Sequence, residues 1–301
     1  MNTRYSDFIQ EYQVERDCSK KKITYKGLFI RPKAKKSEHC VLVLTGTSVQ
    51  LQDIQLFIDS LVNKGYAVAA IDRNIGNILN IEIHPKLDRL LALKHFLSHL
   101  TEKFGVDKIN IVTQSYASFE TVRTLINDPE TYAKKISNII MVNPAGFNNR
   151  IKYIPHCLRF LFIHMLSEYI KTLRYFIMYK LKISSETKHY ARKMRALNSF
   201  LIKTLQNPTR TFREIADITS FDIRPYVELL LKKYGYPFYF VLNRDDNLVA
   251  MKNTLSWSQI AVPNSNILVF SGNHLDSFID ERQILLILEL IDKIHSRKYN
   301  A

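Results

Sequence analysis

Short unbroken apolar runs alternate with longer stretches of helical spacing over most of this chain, and that rhythm sets the expected architecture. Residues 22–31 and 40–44 read as strands separated by the polar turn Pro32-Lys33-Ala34-Lys35-Lys36-Ser37, so a hairpin is expected to open the domain. Residues 54–64 show helical spacing and stop at Gly65; residues 67–71 form a short apolar strand; residues 86–104 form a long amphipathic helix ended by Gly105. Strand, helix and strand follow at 109–113, 119–126 and 139–142. Runs that are apolar throughout, rather than alternating, belong to parallel strands covered on both faces. After Asn143-Pro144-Ala145-Gly146 the rhythm breaks into a long helical stretch with no convincing strand. It resumes with a strand at 238–242, a helix at 251–260, a strand at 267–270 and a last helix at 281–295. The expected fold class is therefore α/β: a mostly parallel central sheet flanked by helices, with core residues 1–147 and 236–301 and a helical insertion at 148–235.

Length and composition sharpen this picture. A chain of 301 residues can bury a large core in one such domain. The first seven residues, Met1 to Asp7, are polar and lead into no apolar run of a secretory signal, so a cytoplasmic location is expected. Cys18, Cys40 and Cys157 are odd in number, far apart and without metal-ligand spacing, which suits reduced structural thiols. The net charge of +15 is unevenly placed, for residues 148–235 hold seventeen Lys/Arg against six Asp/Glu, or +11. No recognisable nucleic-acid module accompanies it, and no nucleic-acid partner is expected. Residues 157–181 are rich in aromatic and aliphatic side chains, yet Arg159, Glu168, Lys171 and Arg174 interrupt them, so they do not form a membrane span. A basic, aromatic face of this kind suits peripheral contact with an anionic membrane.

Candidate chemistry gathers at the ends of the predicted strands, where α/β sheets bind ligands. In Ile109-Asn110-Ile111-Val112-Thr113-Gln114-Ser115-Tyr116-Ala117-Ser118 an apolar strand runs into a serine and straight out into a helix. Such a turn exposes the hydroxyl above the sheet and demands small residues two before and two after it. Ala117 meets that demand and Thr113 meets it imperfectly. Three more loops offer parts: Thr45-Gly46-Thr47, Arg244-Asp245-Asp246-Asn247 and Gly272-Asn273-His274. A serine hydroxyl needs a base to become nucleophilic at neutral pH, a histidine can supply it, and a carboxylate can hold that histidine in the useful tautomer.

The order Ser, Asp, His, together with the strand-to-helix turn and the late insertion, resembles the α/β-hydrolase superfamily over nearly the whole chain from about residue 22. Asn243-Arg244-Asp245-Asp246-Asn247-Leu248-Val249 is similar to the family's acid loop and implies that Asp246, not Asp245, is the triad acid. Gly272-Asn273-His274 is similar to its histidine loop, making His274 the base and Ser115 the nucleophile. The same resemblance implies backbone N–H donors at Tyr116 and Thr47 for an oxyanion hole, and a cap at 148–235 whose apolar face lines an acyl pocket. Thr-Gln-Ser-Tyr-Ala departs from Gly-x-Ser-x-Gly at both glycines, and Thr45-Gly46 stands where the family often has His-Gly.

The expected function is serine hydrolysis of a carboxylic ester or thioester with an apolar acyl group, the substrate being a small molecule and no cofactor or metal being required. Acyl transfer is the close variant. A non-catalytic scaffold of the same fold, binding a lipid or a protein partner, is the alternative class. His84, His95, His99, His156, His164 and His189 show no partner spacing and are expected to be non-catalytic.

Overall fold

A computed structural model describes residues 9–16, 21–32, 39–46, 49, 51–72, 85–147, 165–181, 194, 198, 202, 216, 222–246, 249, 251–274 and 276–299. Eight strands form one sheet: β1 (Ile9–Arg16), β2 (Lys21–Ile30), β3 (His39–Leu44), β4 (Ala67–Asp72), β5 (Lys108–Gln114), β6 (Ile136–Val142), β7 (Phe238–Asn243) and β8 (Ile267–Phe270). Their spatial order is β1-β2-β4-β3-β5-β6-β7-β8. The pairs β1–β2 and β2–β4 are antiparallel, and every later pair is parallel.

The helices are α1 (Gln55–Asn63), α2 (Pro85–Glu102), α3 (Tyr116–Asn127), α4 (Pro129–Ala133), α5 (Met165–Lys180), α6 (Arg224–Tyr234), α7 (Met251–Ala261) and α8 (Glu281–Tyr299). The period-two geometry of the strands divides their apolar residues between two cores. On one face Leu42, Ala69, Ile111, Met141 and Phe240 pack with Phe96 of α2, Phe119 and Val122 of α3, and Val227 and Leu230 of α6. On the other, Val43, Ala70, Val112, Ile140 and Val241 meet Phe57 and Leu61 of α1 and Ile287 and Ile291 of α8. Burial on both faces is why these strands lack polar alternation.

The opening of the domain differs from the expected hairpin. Residues 22–31 and 40–44 do form strands, but β4 lies between them: Lys26–Ile30 of β2 pair with Asp72–Val68 of β4, and β4 pairs in turn with β3. The polar turn marks where a strand ends and carries no information about which strand it neighbours. The hairpin that does form joins β2 to β1. In β1, Ile9 to Glu15 bury only Tyr12 fully, the pattern of a strand with one partner, so the apolar signal is faint. Tyr12 stacks on Tyr25 at 5.3 Å and meets Phe96 edge-on at 5.6 Å, which fastens the hairpin to α2.

Candidate active site

Ser115 sits between the last residue of β5 and the first of α3, with φ 54° and ψ −125°. A non-glycine residue at positive φ is held against a backbone cost of about 1–3 kcal/mol, so surrounding bonds must impose it. Ser115 N–H donates to the Val142 carbonyl at 3.0 Å, while the Ser115 carbonyl accepts from Ala145 N at 3.1 Å and Ser118 N at 3.1 Å. The turn is thus tied to the end of β6 and the loop after it. Ser115 stands at the N-cap of α3 and makes no side-chain cap bond, so its hydroxyl is not spent on the helix. The residues flanking the turn are buried: Thr113 is 0 % exposed and Ala117 1 %. Thr113 Oγ1 accepts a long 3.4 Å bond from Thr121, whose hydroxyl also reaches the Ala117 carbonyl at 2.8 Å.

Gly46, after β3, lies directly against this turn. An ideal Cβ built on it would stand 2.9 Å from Ser115 Cβ and 3.5 Å from both Ser115 Oγ and the Gln114 carbonyl. A glycine there lets the loop approach the serine more closely than any side chain would allow. Thr45 braces the same loop by donating its hydroxyl to the Val49 carbonyl at 3.0 Å.

The two loops after β7 and β8 meet. Asp246 Oδ2 is 2.6 Å from His274 Nδ1, and both side chains are nearly out of solvent. The other carboxylate oxygen, Oδ1, accepts from Val249 N–H at 3.0 Å, which fixes the plane of the acid. With Nδ1 donating to the carboxylate, the Nε2 of a neutral His274 is the proton acceptor. Asp245 does different work. It is exposed, its Oδ2 accepts from Gly272 N–H at 3.1 Å, and its own N–H donates to the Gly272 carbonyl at 3.1 Å, which joins the two loops.

Residues that sequence reasoning did not single out hold the His274 loop in place. Gln114, Asn143 and Asn243 stand at the carboxyl ends of the adjacent strands β5, β6 and β7, all buried. The His274 carbonyl accepts from Gln114 Nε2 at 3.1 Å and from Asn143 Nδ2 at 3.3 Å. Asn143 Nδ2 also reaches Ser277 Oγ at 3.2 Å, and its Oδ1 accepts from Asn243 N–H at 2.7 Å. Asn243 Nδ2 donates to the Asn273 carbonyl at 2.6 Å and to Ser277 Oγ at 3.0 Å. Asn143 has φ 43°, a left-handed conformation that asparagine tolerates better than most residues. Gln114 is the residue before Ser115, so one side chain connects the serine turn to the histidine loop. The available signal was a carboxamide at or just past the end of each predicted strand.

Tyr116, implied as one oxyanion donor, begins α3, where backbone N–H groups lack partners within the helix. Its ring is buried, stacked on Phe119 at 5.5 Å, with the Arg89 guanidinium 5.8 Å from the ring centroid. Arg89 itself is 3.5 Å from Glu120 Oε1, both 5 % exposed, which links α2 to α3 behind the turn. Thr47, the other implied donor, lies outside the described residues, as do His84, His156, His164, His189, Cys18 and Cys157. His95 Nδ1 shares a 2.7 Å hydrogen bond with Tyr25 OH, far along the sheet from the serine turn. Cys40 is wholly buried in β3, and burial pushes its thiol up to about 12. Among the described residues no group of three or more His, Cys, Asp and Glu side chains is placed to hold a metal ion.

No family model and no curated protein matches the sequence. Solved structures do match the fold. A bacterial membrane phospholipase A superposes with a TM-score of 0.63 at 11% identity, over 96% of this chain and 87% of that one. A carboxylesterase of the thaumarchaeon Nitrososphaera gargenis gives 0.62 at 11%, over 95% and 100%. The thioesterase domain from the curacin biosynthetic pathway gives 0.56 at 16%, over 93% and 99%. A bromoperoxidase and an enol-lactonase are also among the matches. In its sheet order and parallel core, and by its likeness to these structures, this chain has the α/β-hydrolase fold.

Proposed function

We propose that this protein is a serine hydrolase that cleaves a carboxylic ester or thioester bearing an apolar acyl group. The observation that carries the proposal is the strained Ser115 turn, its hydroxyl unused by the helix, tied through Gln114 to the loop on which His274 contacts Asp246. Support for the ester-cleaving class comes from neighbours of the same fold that are a phospholipase, a carboxylesterase and a thioesterase.

In the proposed reaction His274 Nε2 removes the proton as Ser115 Oγ attacks the acyl carbon, forming a tetrahedral intermediate. Transfer requires hydroxyl and imidazole within about 2.6–3.2 Å of each other. The oxyanion is held by the backbone N–H groups of Tyr116 and Thr47, with the α3 N-terminus adding favourable potential. Collapse expels the alcohol or thiol, which takes the proton from His274, and an acyl-Ser115 ester remains. Water, deprotonated by His274, then releases the carboxylic acid. Asp246 keeps Nδ1 protonated and balances the imidazolium that forms at each attack. An alcohol or amine replacing that water would make the same machinery an acyltransferase. The insertion at residues 148–235, which includes α5, is proposed to cover this site as a cap and to line the acyl pocket.

The test is a panel of ester and thioester substrates with acyl chains of increasing length, followed by stopped flow. An initial burst of leaving group matching the enzyme concentration, absent in Ser115→Ala, is expected. Hydrolysis by Ser115→Ala at the wild-type rate would overturn the proposal.

A further inference from the structure

Helix α5 turns an apolar stripe outward. Leu166, Ile170 and Ile177 are 55%, 57% and 48% exposed, and Leu181, which continues the helical turn by donating its N–H to the Ile177 carbonyl at 3.0 Å, is 64% exposed. Their spacings of four, seven and four residues put all four within about 60° of one another on a helix of 3.6 residues per turn. The stripe runs about 22 Å, at 1.5 Å per residue. Lys171 and Arg174 are exposed on one side of it and Lys180 on the other. Among the described residues, none of these four side chains belongs to either core. Single exposed leucines need no explanation, whereas an aligned row of large aliphatic residues marks an interaction surface.

Charge identifies the occupant. The stripe lies within the segment that carries +11 of the chain's +15, and its rims are cationic. Among the described residues no helix is long and apolar enough to cross a membrane. An apolar stripe with basic rims and modest overall hydropathy fits a helix lying in the plane of an anionic bilayer, its aliphatic side chains below the headgroups and its cations among the phosphates. We propose that the outer face of α5 docks this protein onto a membrane surface rich in anionic phospholipid. The docking does not depend on the catalytic proposal, since it needs neither the Ser115 nucleophile nor the contact between His274 and Asp246.

The test is co-flotation of the full chain with vesicles of phosphatidylcholine alone and of an equal mixture of phosphatidylcholine and phosphatidylglycerol. Partitioning at least about ten-fold stronger onto the anionic vesicles at low salt is expected, falling steeply as sodium chloride is raised past a Debye length of about 8 Å. The pair Ile170→Glu/Ile177→Glu should lose that binding while keeping the wild-type thermal transition; Ile170→Ser/Ile177→Ser is the milder pair if the first does not fold. Ser115→Ala should bind as wild type, which separates docking from catalysis. Equal partitioning onto both vesicle types would overturn the proposal, as would undiminished binding of the folded stripe variants. Loss of a dimer in those variants, without any vesicle binding by the wild type, would instead assign the stripe to a second copy of the chain.

Discussion

Alanine at position 46 measures how closely the turn after β3 must approach the nucleophile. Its Cβ would lie 2.9 Å from Ser115 Cβ. Carbon atoms in favourable contact are about 3.5–4.0 Å apart, so roughly 0.6–1.1 Å of overlap must be relieved. Both carbons are bonded directly to backbone, and the Ser115 turn is fixed by bonds to Val142 and Ala145, so neither can swing away as the end of a long side chain would. Gly46 is not among the residues at positive φ, so alanine is conformationally acceptable there and the effect is one of contact alone. Overpacking of this size costs about 1–3 kcal/mol of stability. A displacement near 1 Å of a reacting group costs about 10²-fold in rate. Gly46→Ala is therefore expected to lower kcat/KM on the best ester substrate by about 100-fold, chiefly through kcat, with a modest fall in Tm. Gly105→Ala is the control: Gly105 has φ 60° and open space around its missing Cβ, so alanine there should cost stability and spare turnover. Steady-state kinetics beside calorimetry distinguish the two. A Gly46→Ala enzyme with wild-type kcat/KM would refute the claim that Ser115 is the reacting group.

Asp246→Asn should reduce kcat by about 10⁴-fold, the scale of loss when an orienting carboxylate in a serine protease is amidated; Asp245→Asn, which alters the link to Gly272, should change kcat little, and equal losses would mean the acid has been misassigned. Asn143→Gly keeps the left-handed backbone available but removes the bonds to Asn243 N–H, His274 O and Ser277 Oγ, so stability should fall by roughly 2–4 kcal/mol and kcat should drop more than KM rises. Burial and, secondarily, the Lys103 charge lower the titration of His95 and of His99 below the ordinary 6.5. The folded state thus binds fewer protons than the unfolded one below that value; their contribution to stability is complete above pH 6.5 and lost as pH falls through the lowered folded values, so Tm should decline there and His95→Gln/His99→Gln should flatten the decline.

The parallel part of the fold was legible because strands buried on both faces cannot carry polar alternation, and their apolar runs stand out against the helical stretches. The antiparallel edge was not. In β1, from Ile9 to Glu15, only Tyr12 is fully buried, and the place of β4 between β2 and β3 is decided by sheet pairing rather than by anything in the turn between them. At the site, Ser115, Asp246 and His274 could be named because each follows a recognisable strand in the expected order. The choice of Asp246 over Asp245 rested on loop pattern, and in the structure Asp246 is the one that reaches the imidazole. Gly46, Gln114, Asn143 and Asn243 were invisible as a group, since their roles exist only across strands far apart in sequence. A glycine whose missing Cβ faces a serine 69 positions later leaves no local pattern.

The most direct measurement is covalent labelling of the native protein with a fluorophosphonate, mapped by peptide mass spectrometry. A single adduct on Ser115 is predicted, accompanied by loss of esterase activity and absent from the folded Ser115→Ala variant. Ser118, fully buried in α3, should remain unmodified. Folded protein that acquires no adduct, or that is modified at another serine while Ser115 stays free, would contradict the account.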